Sequence, residues 1–293
     1  LSEANFEGAI LDRAQLAGAI LPNANFHKAN LHQADLRDAD LNGASLVGTN
    51  LSEADLSGAV LTGSALSGAD LSGANLRGAD LRGANLSETK FVGSQLSGAN
   101  LTATNLSATD LTGVSFASAI VRYSILSDRN LQGLDFRDAE LGGSIFERSN
   151  LSGADFRGSN LSEANFEGAI LDRAQLAGAI LTSANFHKAS LRWVDLSDQT
   201  IRLKTLSYAD LSDSNLSGAD LSNQDMNQAS LRNTDLSGTI LTGASLFKAN
   251  LTGANLSGAN LTGANLLGTT VHNTNLSDVI TTDAVLDDSW PTQ

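Results

Sequence analysis

The stretch LTGANLSGANLTGAN (251–265) repeats one five-residue unit three times without interruption. We number the unit from its large apolar residue. Position 1 is Leu or Phe, positions 2 and 3 are polar or Gly, position 4 is usually Ala, and position 5 is usually Asn or Asp. The same register runs through the 293-residue chain from Leu1 to the last few residues. The exceptions at position 1 are Val121, Ile201, Met226, Val271, Thr281 and Pro291.

The five-residue period decides the fold class. It fits neither the 3.6-residue period of a helix nor the two-residue period of a strand. We therefore predict that each unit forms one side of a square coil of twenty residues, with positions 1 and 4 pointing inward. A single coil cannot bury its Leu side chains, so about 14–15 coils must stack on one another. This pattern predicts one all-β domain over 1–288 and a tail or cap over 289–293, in which Trp290 and Pro291 cover the last coil.

Gly falls mostly at position 3, where a tight corner with positive φ tolerates it best.

Two columns of side chains follow from the twenty-residue spacing. Residues twenty apart should stack, and the core then contains aromatic ladders of offset rings. The predicted ladders are Phe116, Phe136 and Phe156 in one column and Phe146, Phe166 and Phe186 in another.

The units ADLSG (69–73), ANLRG (74–78) and ANLTG (259–263) resemble those of the pentapeptide repeat family. The resemblance covers essentially the whole chain. It implies a right-handed quadrilateral, or four-sided, parallel β-helix solenoid. It implies little about function, because members of this family resemble one another mainly at the core-facing positions.

The pattern fails at a few positions. Arg129 and Lys204 stand at position 4, where an unpaired charge in the core would cost several kcal/mol. We expect each of these side chains to reach solvent or a partner. The segment 191–210 departs from the consensus several times and holds two aromatic residues that are uncommon in this chain. It is either a tolerated bulge or a partner-binding patch, whose candidate residues are Arg192, Trp193, Arg202, Lys204 and Tyr208.

One twenty-residue sequence occurs twice. Residues 1–20 and 161–180 are identical, and FHKA recurs at 26–29 and 186–189. The offset of 160 residues is a whole number of coils, so both copies present the same faces. A recent duplication, or design of the sequence, explains this identity more simply than function does.

Composition and charge exclude several functions. The formal net charge is −14, which argues against direct binding of nucleic acid or of an anionic membrane. Arg137 and Arg157 stand where they neutralise neighbouring columns of Asp. There is no cysteine and no apolar run long enough to span a bilayer. We expect a soluble, cytoplasmic protein, with the reservation that a leader could precede Leu1.

No catalytic, cofactor or metal site is predicted. The histidines do not form a ligand set, and the glycine spacing is that of the repeat rather than of a phosphate-binding loop. Carboxylates are predicted only on a solvated surface without a cleft that would shift their pKa values. The four histidines are His27, His32, His187 and His272.

The sequence therefore predicts a non-enzyme that acts as a rigid, acidic scaffold for a protein partner. Long chains of this kind resemble the pentapeptide repeat proteins of cyanobacteria and other bacteria. The resemblance also implies an alternative, which is mimicry of DNA in binding to DNA gyrase or another topoisomerase, with inhibition or protection from quinolones. An uncapped end at Leu1 is compatible with end-to-end or dimeric self-association.

Overall fold

The computed structural model describes residues 1–197, 199–288 and 290. Within these residues the backbone forms neither helices nor strands of several residues, but a series of β-turns with isolated parallel bridges between them. The bridge residue of each unit stands at position 5. Each bridge joins residues twenty apart, as between Asn5 and Asn25 or between Asn265 and Val285. Stacking at the predicted spacing is thus carried by single bridges rather than by extended strands.

The chain divides into two compact units. The first unit consists of Leu1–Ser127 and Leu134–Ile145, and the second of Asp128–Gly133 and Phe146–Gln293. Each unit is built from the same turns and bridges. The extent of a single domain over 1–288 stays a prediction.

A β-turn occupies positions 1 to 4 of each regular repeat. The amide of position 4 donates to the carbonyl of position 1, as Ala54 does to Leu51 at 3.1 Å. Position 3 has a φ near +60°, whether it is Gly58 at 68° or Glu53 at 57°. Positive φ at the third residue of a turn is typical of type II geometry and is least strained for Gly. The predicted preference of Gly for this corner has this physical cause.

Most backbone amides of a repeat are paired, and this pairing explains the consensus. Positions 1 and 3 donate to carbonyls of the next coil, position 5 donates to the previous coil, and position 4 closes the turn. Only the amide at position 2 lacks a carbonyl partner in this scheme. The side chain at position 5 of the preceding unit accepts it, as Asn50 Oδ1 does from Ser52 at 3.1 Å. Asn and Asp are favoured at position 5 because they supply this acceptor.

Aromatic side chains fill part of the core of the first unit. Phe116 and Phe136 are fully buried and stack with ring centroids 5.2 Å apart and an interplanar angle of 6°. Phe6 and Phe26 stack at 4.9 Å. Residues twenty apart are therefore in direct contact at position 1, as the spacing predicts.

The second unit contains a longer aromatic column. Phe166 stacks on Phe146 at 5.0 Å and on Phe186 at 4.9 Å, with both interplanar angles at 5°. Phe156 meets Phe146 and Phe166 edge-on, at 6.2 Å and 6.1 Å. Stacked and edge-on pairs both contribute beyond the burial of their area. This column anchors the coils that carry the irregular segment described below.

Trp290 is the last residue described in the second unit. Its side chain is buried, and its indole Nε1 donates to Thr269 Oγ1 at 2.8 Å. Residues 289 and 291–293, which complete the predicted tail or cap and include Pro291, lie outside the described residues.

Candidate protein-interaction site

Trp193 stands at position 3 of the turn 191–194, where most repeats carry Gly or a small polar residue. Its φ is 57° and its side chain is 40% exposed. A bulky L-residue in the left-handed region is strained by about 1–2 kcal/mol. The repeat imposes this strain, because position 3 of the regular turns has a positive φ whichever residue stands there.

Two arginines lie against the indole of Trp193. The guanidinium carbon of Arg192 is 4.1 Å from the ring centroid, and that of Arg173 is 4.4 Å away. Arg173 is twenty residues before Trp193 and therefore stands directly below it in the stack. Both contacts are within the range of favourable cation–π interaction. The aromatic surface is therefore bordered by positive charge on an otherwise acidic chain.

A surface notch opens beside this indole, and we call it the Trp193 notch. It has a volume of about 210 Å³ and is lined by Arg157, Arg173, residues 174–177, Trp193 and Asp195. The notch exists because Ala177 occupies position 2, where the coil below carries Arg157. An alanine at this position leaves open the space that a longer side chain would cover.

The first copy of the duplicated sequence provides an internal comparison in the first unit. Arg13 corresponds to Arg173, but the residue above it is Gln33 rather than a tryptophan. Arg13 Nε donates to Gln33 Oε1 at 2.9 Å, and it lies 3.8 Å from Asp12. The same twenty residues thus give a hydrogen-bonded, ion-paired arginine in one copy and an arginine stacked on an indole in the other.

Tyr208 occupies position 3 of a different turn. Its φ is 60°, and its side chain is exposed. Its hydroxyl accepts a hydrogen bond from Gln228 Nε2 at 2.7 Å, and its ring meets that of His187 edge-on at 5.4 Å. His187 Nδ1 lies 2.9 Å from Ser207 Oγ. Tyr208 is therefore fixed by its own neighbours.

The segment 201–204 is the place where the turn is lost. Leu203 does not have the positive φ of a regular position 3, and its amide donates to the side-chain Oε1 of Gln224 at 3.0 Å. The amide of Lys204 donates to the carbonyl of Ala184 at 2.9 Å, a role that position 5 has in regular units. The side chain of Lys204 is consequently exposed. Gln224, which is 6% exposed, supplies the acceptor that the altered backbone needs.

The remaining candidates have partners of their own. Arg202 Nη2 donates to Asp220 Oδ2 at 2.7 Å. The amide of Arg129 donates to Ser149 Oγ at 3.2 Å, and its side chain is half-buried rather than enclosed.

The five candidate patch residues consequently lie on three different stretches of backbone, namely 191–194, 201–204 and 206–209. The repeat places Arg173 and Ala177 beside Trp193, and our sequence analysis did not single them out. Their signal in the sequence is the twenty-residue offset, which puts Arg173 below Trp193.

Four surface arginines, Arg37, Arg82, Arg137 and Arg157, are paired with an Asp two residues earlier in the chain. Arg157 and Arg137 make such pairs with Asp155 and Asp135, at 2.6 Å and 2.8 Å. The Asp at position 5 already accepts the amide at position 2, so a guanidinium at position 2 reaches both carboxylate oxygens. These short contacts lie within a coil, whereas the sequence predicts that Arg137 and Arg157 neutralise neighbouring columns of Asp.

These pairs shift the acidity of the carboxylates. The Arg137 side chain donates to Asp135 and lowers the pKa of that carboxyl from 3.8 to about 2, against the opposing effect of burial. The Arg202 side chain likewise holds the pKa of Asp220 well below its usual range, with help from Ser222.

The depressed pKa of Asp135 predicts how Asp135→Asn will behave with pH. The pair's contribution to stability is present above the unfolded pKa of about 3.9 and is lost as the pH falls towards about 2. Asn keeps the Oδ1 that accepts the Arg137 amide, and it removes the charge and the Oδ2 that accepts from Arg137 Nη2 and the Ser115 hydroxyl. We expect wild type to exceed the variant by at most about 1 kcal/mol at neutral pH, because the pair is largely exposed. Thermal unfolding of wild type and variant at neutral pH and at a pH of about 2 checks this. A difference in stability that persists at the acidic pH would contradict it.

The described residues offer neither a metal site nor a membrane-spanning helix. Among the described residues, no group of three or more His, Cys, Asp or Glu side chains could hold a metal ion. In the same part of the chain, no helix has the length and apolar character needed to cross a membrane.

The family profile for pentapeptide repeats matches the chain in overlapping segments that cover residues 1–198 and 206–280. The chain belongs to the pentapeptide repeat family. Pentapeptide repeat proteins fold as right-handed β-helices, which agrees with the predicted fold class. They are generally structural or interaction proteins without catalytic activity. The profile leaves out residues 199–205, the segment in which this pentapeptide repeat protein loses a turn.

Several solved structures are similar to this pentapeptide repeat protein. HetL from the cyanobacterium Nostoc sp. strain PCC 7120, involved in regulation of heterocyst differentiation, is 28% identical over 84% of this chain and 92% of its own, with a TM-score of 0.28. A protein of the Arabidopsis thaliana thylakoid lumen is 37% identical over 35% of this chain and 64% of its own, with a TM-score of 0.26. QnrB1, a plasmid-mediated fluoroquinolone resistance protein, is 20% identical over 73% of this chain and 91% of its own, with a TM-score of 0.31. No curated protein matches the chain.

Proposed function

We propose that this pentapeptide repeat protein is a non-catalytic scaffold that displays side chains to a protein partner, with the turn 191–194 as the main contact. The observation that carries the proposal is Trp193. Core packing does not account for it, because the side chain is 40% exposed and its backbone is in a conformation that suits Gly. Exposed Trp and Arg side chains are the residues most enriched among those that dominate protein interfaces.

The repeat supports this role by holding such side chains in fixed positions. Four units separate each bridged residue from its partner, which supports the predicted four-sided coil of twenty residues and a total of about 14–15 coils. Most backbone amides of the regular units are paired, and a scaffold of this kind loses little conformational entropy when it binds. Tyr208, Arg202 and Lys204 remain proposed contacts on neighbouring turns.

Affinity capture from the source cell tests the scaffold proposal. We expect Trp193→Gln to lose a protein that wild type retains, because the substitution removes the indole and introduces the residue type that stands 160 residues earlier, at Gln33. Tyr123→Gln is the matched control. Tyr123 is an exposed aromatic residue that stands at position 3 of its five-residue repeat, within the first of the two compact units. Retention of the same proteins by Trp193→Gln and wild type would overturn the assignment of this turn.

DNA mimicry is the second candidate, and the net charge of −14 favours it. The Asp–Arg pairs weaken it, because a row of neutralised carboxylates does not reproduce a row of phosphates. A DNA gyrase supercoiling assay separates the two proposals. Mimicry requires a change in supercoiling when the protein is added, and the scaffold proposal requires none. The cytoplasm stays the predicted compartment, and end-to-end or dimeric self-association stays a prediction as well.

A further inference from the structure

We propose that the Trp193 notch binds a carboxylate side chain of the protein partner, with Arg173 as the pairing group and Trp193 as the wall against which the bound residue packs. This inference rests on the scaffold function proposed above. It adds the chemistry of the bound segment, which is an acidic residue in an exposed stretch of the partner.

Arg173 is the charge at this notch that is left for a ligand. Among the described residues, no carboxylate lies within 4.0 Å of its guanidinium, whereas Arg157 is paired with Asp155 at 2.6 Å. The neighbouring carboxylate of Asp172 has partners of its own. Its Oδ1 accepts hydrogen bonds from the Ser190 hydroxyl at 2.5 Å and from the backbone amide of Arg192 at 3.2 Å. In the first copy, the equivalent arginine does lie beside its aspartate at 3.8 Å.

The charges at the rim favour a carboxylate over a dianion such as phosphate. Asp195 lines the notch, and its Oδ1 accepts hydrogen bonds from the backbone amide of Ser197 at 3.0 Å and from Asn215 Nδ2 at 3.1 Å. Its negative charge would repel a doubly charged group more than a singly charged one. A planar guanidinium also matches the two oxygens of a carboxylate.

The size and lining of the notch fit one side chain rather than a small molecule. Its volume of about 210 Å³ is below the range of roughly 300–1,000 Å³ typical of ligand pockets. Leu176 and Ala174 are buried beneath it, and Ala177 leaves its side open. The methylene groups of a Glu would contact this apolar floor and the indole, while the carboxylate reaches Arg173.

Fluorescence of Trp193 gives a direct test on the full-length protein. The only other tryptophan is Trp290, which is buried. The probes are the capped peptides Ac-Ala-Glu-Glu-Ala-NH2 and its neutral counterpart Ac-Ala-Gln-Gln-Ala-NH2. We expect saturable change with the acidic peptide at a Kd of about 1 mM, which is suppressed by added salt, and no such change with the neutral peptide.

Two variants locate the interaction. Arg173→Gln is expected to weaken binding of the acidic peptide by about threefold to tenfold, the range for exposed charge pairs with cation–π neighbours. Arg13→Gln, the same substitution in the identical first copy, is expected to bind like wild type. Both positions are on the surface, and circular dichroism verifies that the two variants fold.

Four results would overturn the proposal. These are equal binding of the two peptides, wild-type affinity in Arg173→Gln, the absence of saturable change with the acidic peptide, or a fluorescence change with protein concentration alone, which would indicate a second copy in the notch. Failure of the scaffold proposal is a separate outcome, because it is detected by affinity capture with Trp193→Gln and not by peptide binding. If Trp193→Gln loses a partner but the acidic peptide does not bind, the turn is an interface and only its ligand chemistry is wrong.

Discussion

Phe166→Ala is expected to lower the free energy of unfolding of the second unit by about 3–5 kcal/mol, the usual range for truncating a buried aromatic side chain. Phe166 is fully buried and stacks on both Phe146 and Phe186, so its removal leaves a cavity and breaks two ring contacts at once. The rigid coils on either side limit collapse into the cavity. A fall in the thermal midpoint on the order of 10 °C follows from the size of the unit.

Calorimetry measures this effect, and Phe166→Leu is its control. Leu is the commonest residue at position 1, so this variant keeps most of the volume and is expected to lose no more than about 1.5 kcal/mol. If Phe166→Ala and Phe166→Leu both have the thermal midpoint of wild type, the aromatic column does not stabilise the second unit.

Ala244→Lys is expected to lower the free energy of unfolding by at least about 3 kcal/mol, because it places an unpaired charge in the core. Ala244 is fully buried in a regular turn, with its amide donating to the carbonyl of Leu241 at 3.0 Å. Lys204 occupies the same position of the repeat two coils earlier, but there the turn is lost and the side chain is exposed. The opened backbone at Lys204 gives that side chain a route to solvent, whereas Ala244 stands in a regular turn and is fully buried.

Ala244→Ser is the matched control for this variant. A serine at position 4 can donate to the carbonyl of position 1, as Ser64 does to Leu61 at 2.8 Å. Its expected effect is within about 1 kcal/mol, because the buried hydroxyl is satisfied. Chemical denaturation of both variants compares them, and a stability of Ala244→Lys equal to that of wild type would show that the core admits charge.

The sequence predicts the regular part of this structure well because a single geometric constraint repeats in every unit. The left-handed corner at Gly58 and the contact of Phe116 with Phe136 both follow from the five-residue period and the twenty-residue offset. The need for Asn or Asp at position 5 was visible as a preference. Its cause lies in the backbone, because the amide at position 2 has no carbonyl partner and needs a side-chain acceptor at position 5.

The candidate site was predicted less completely, because side-chain direction is decided locally. The pattern identifies Trp193 as irregular, and the offset gives its neighbour Arg173, but it does not distinguish stacking on an indole from pairing with an aspartate. In the first copy, Arg13 contacts Asp12 and Gln33 instead of an indole. The same arginine therefore makes different contacts when the residue twenty positions later changes. Arg157 likewise pairs with Asp155 within its coil because that carboxylate is already aimed at the Arg157 amide.

The claim that Trp193 serves recognition rather than folding is tested most directly by the thermal midpoint of Trp193→Gly. Glycine releases the strain of the left-handed backbone, which stabilises the fold by about 1–2 kcal/mol. Loss of the two arginine contacts and the greater freedom of the unfolded chain destabilise it by about the same amount. We therefore predict a midpoint within about 4 °C of wild type, by the usual scaling of about 2–4 °C per kcal/mol. A fall of about 10 °C or more would contradict the account, because it would make Trp193 a residue that the fold requires.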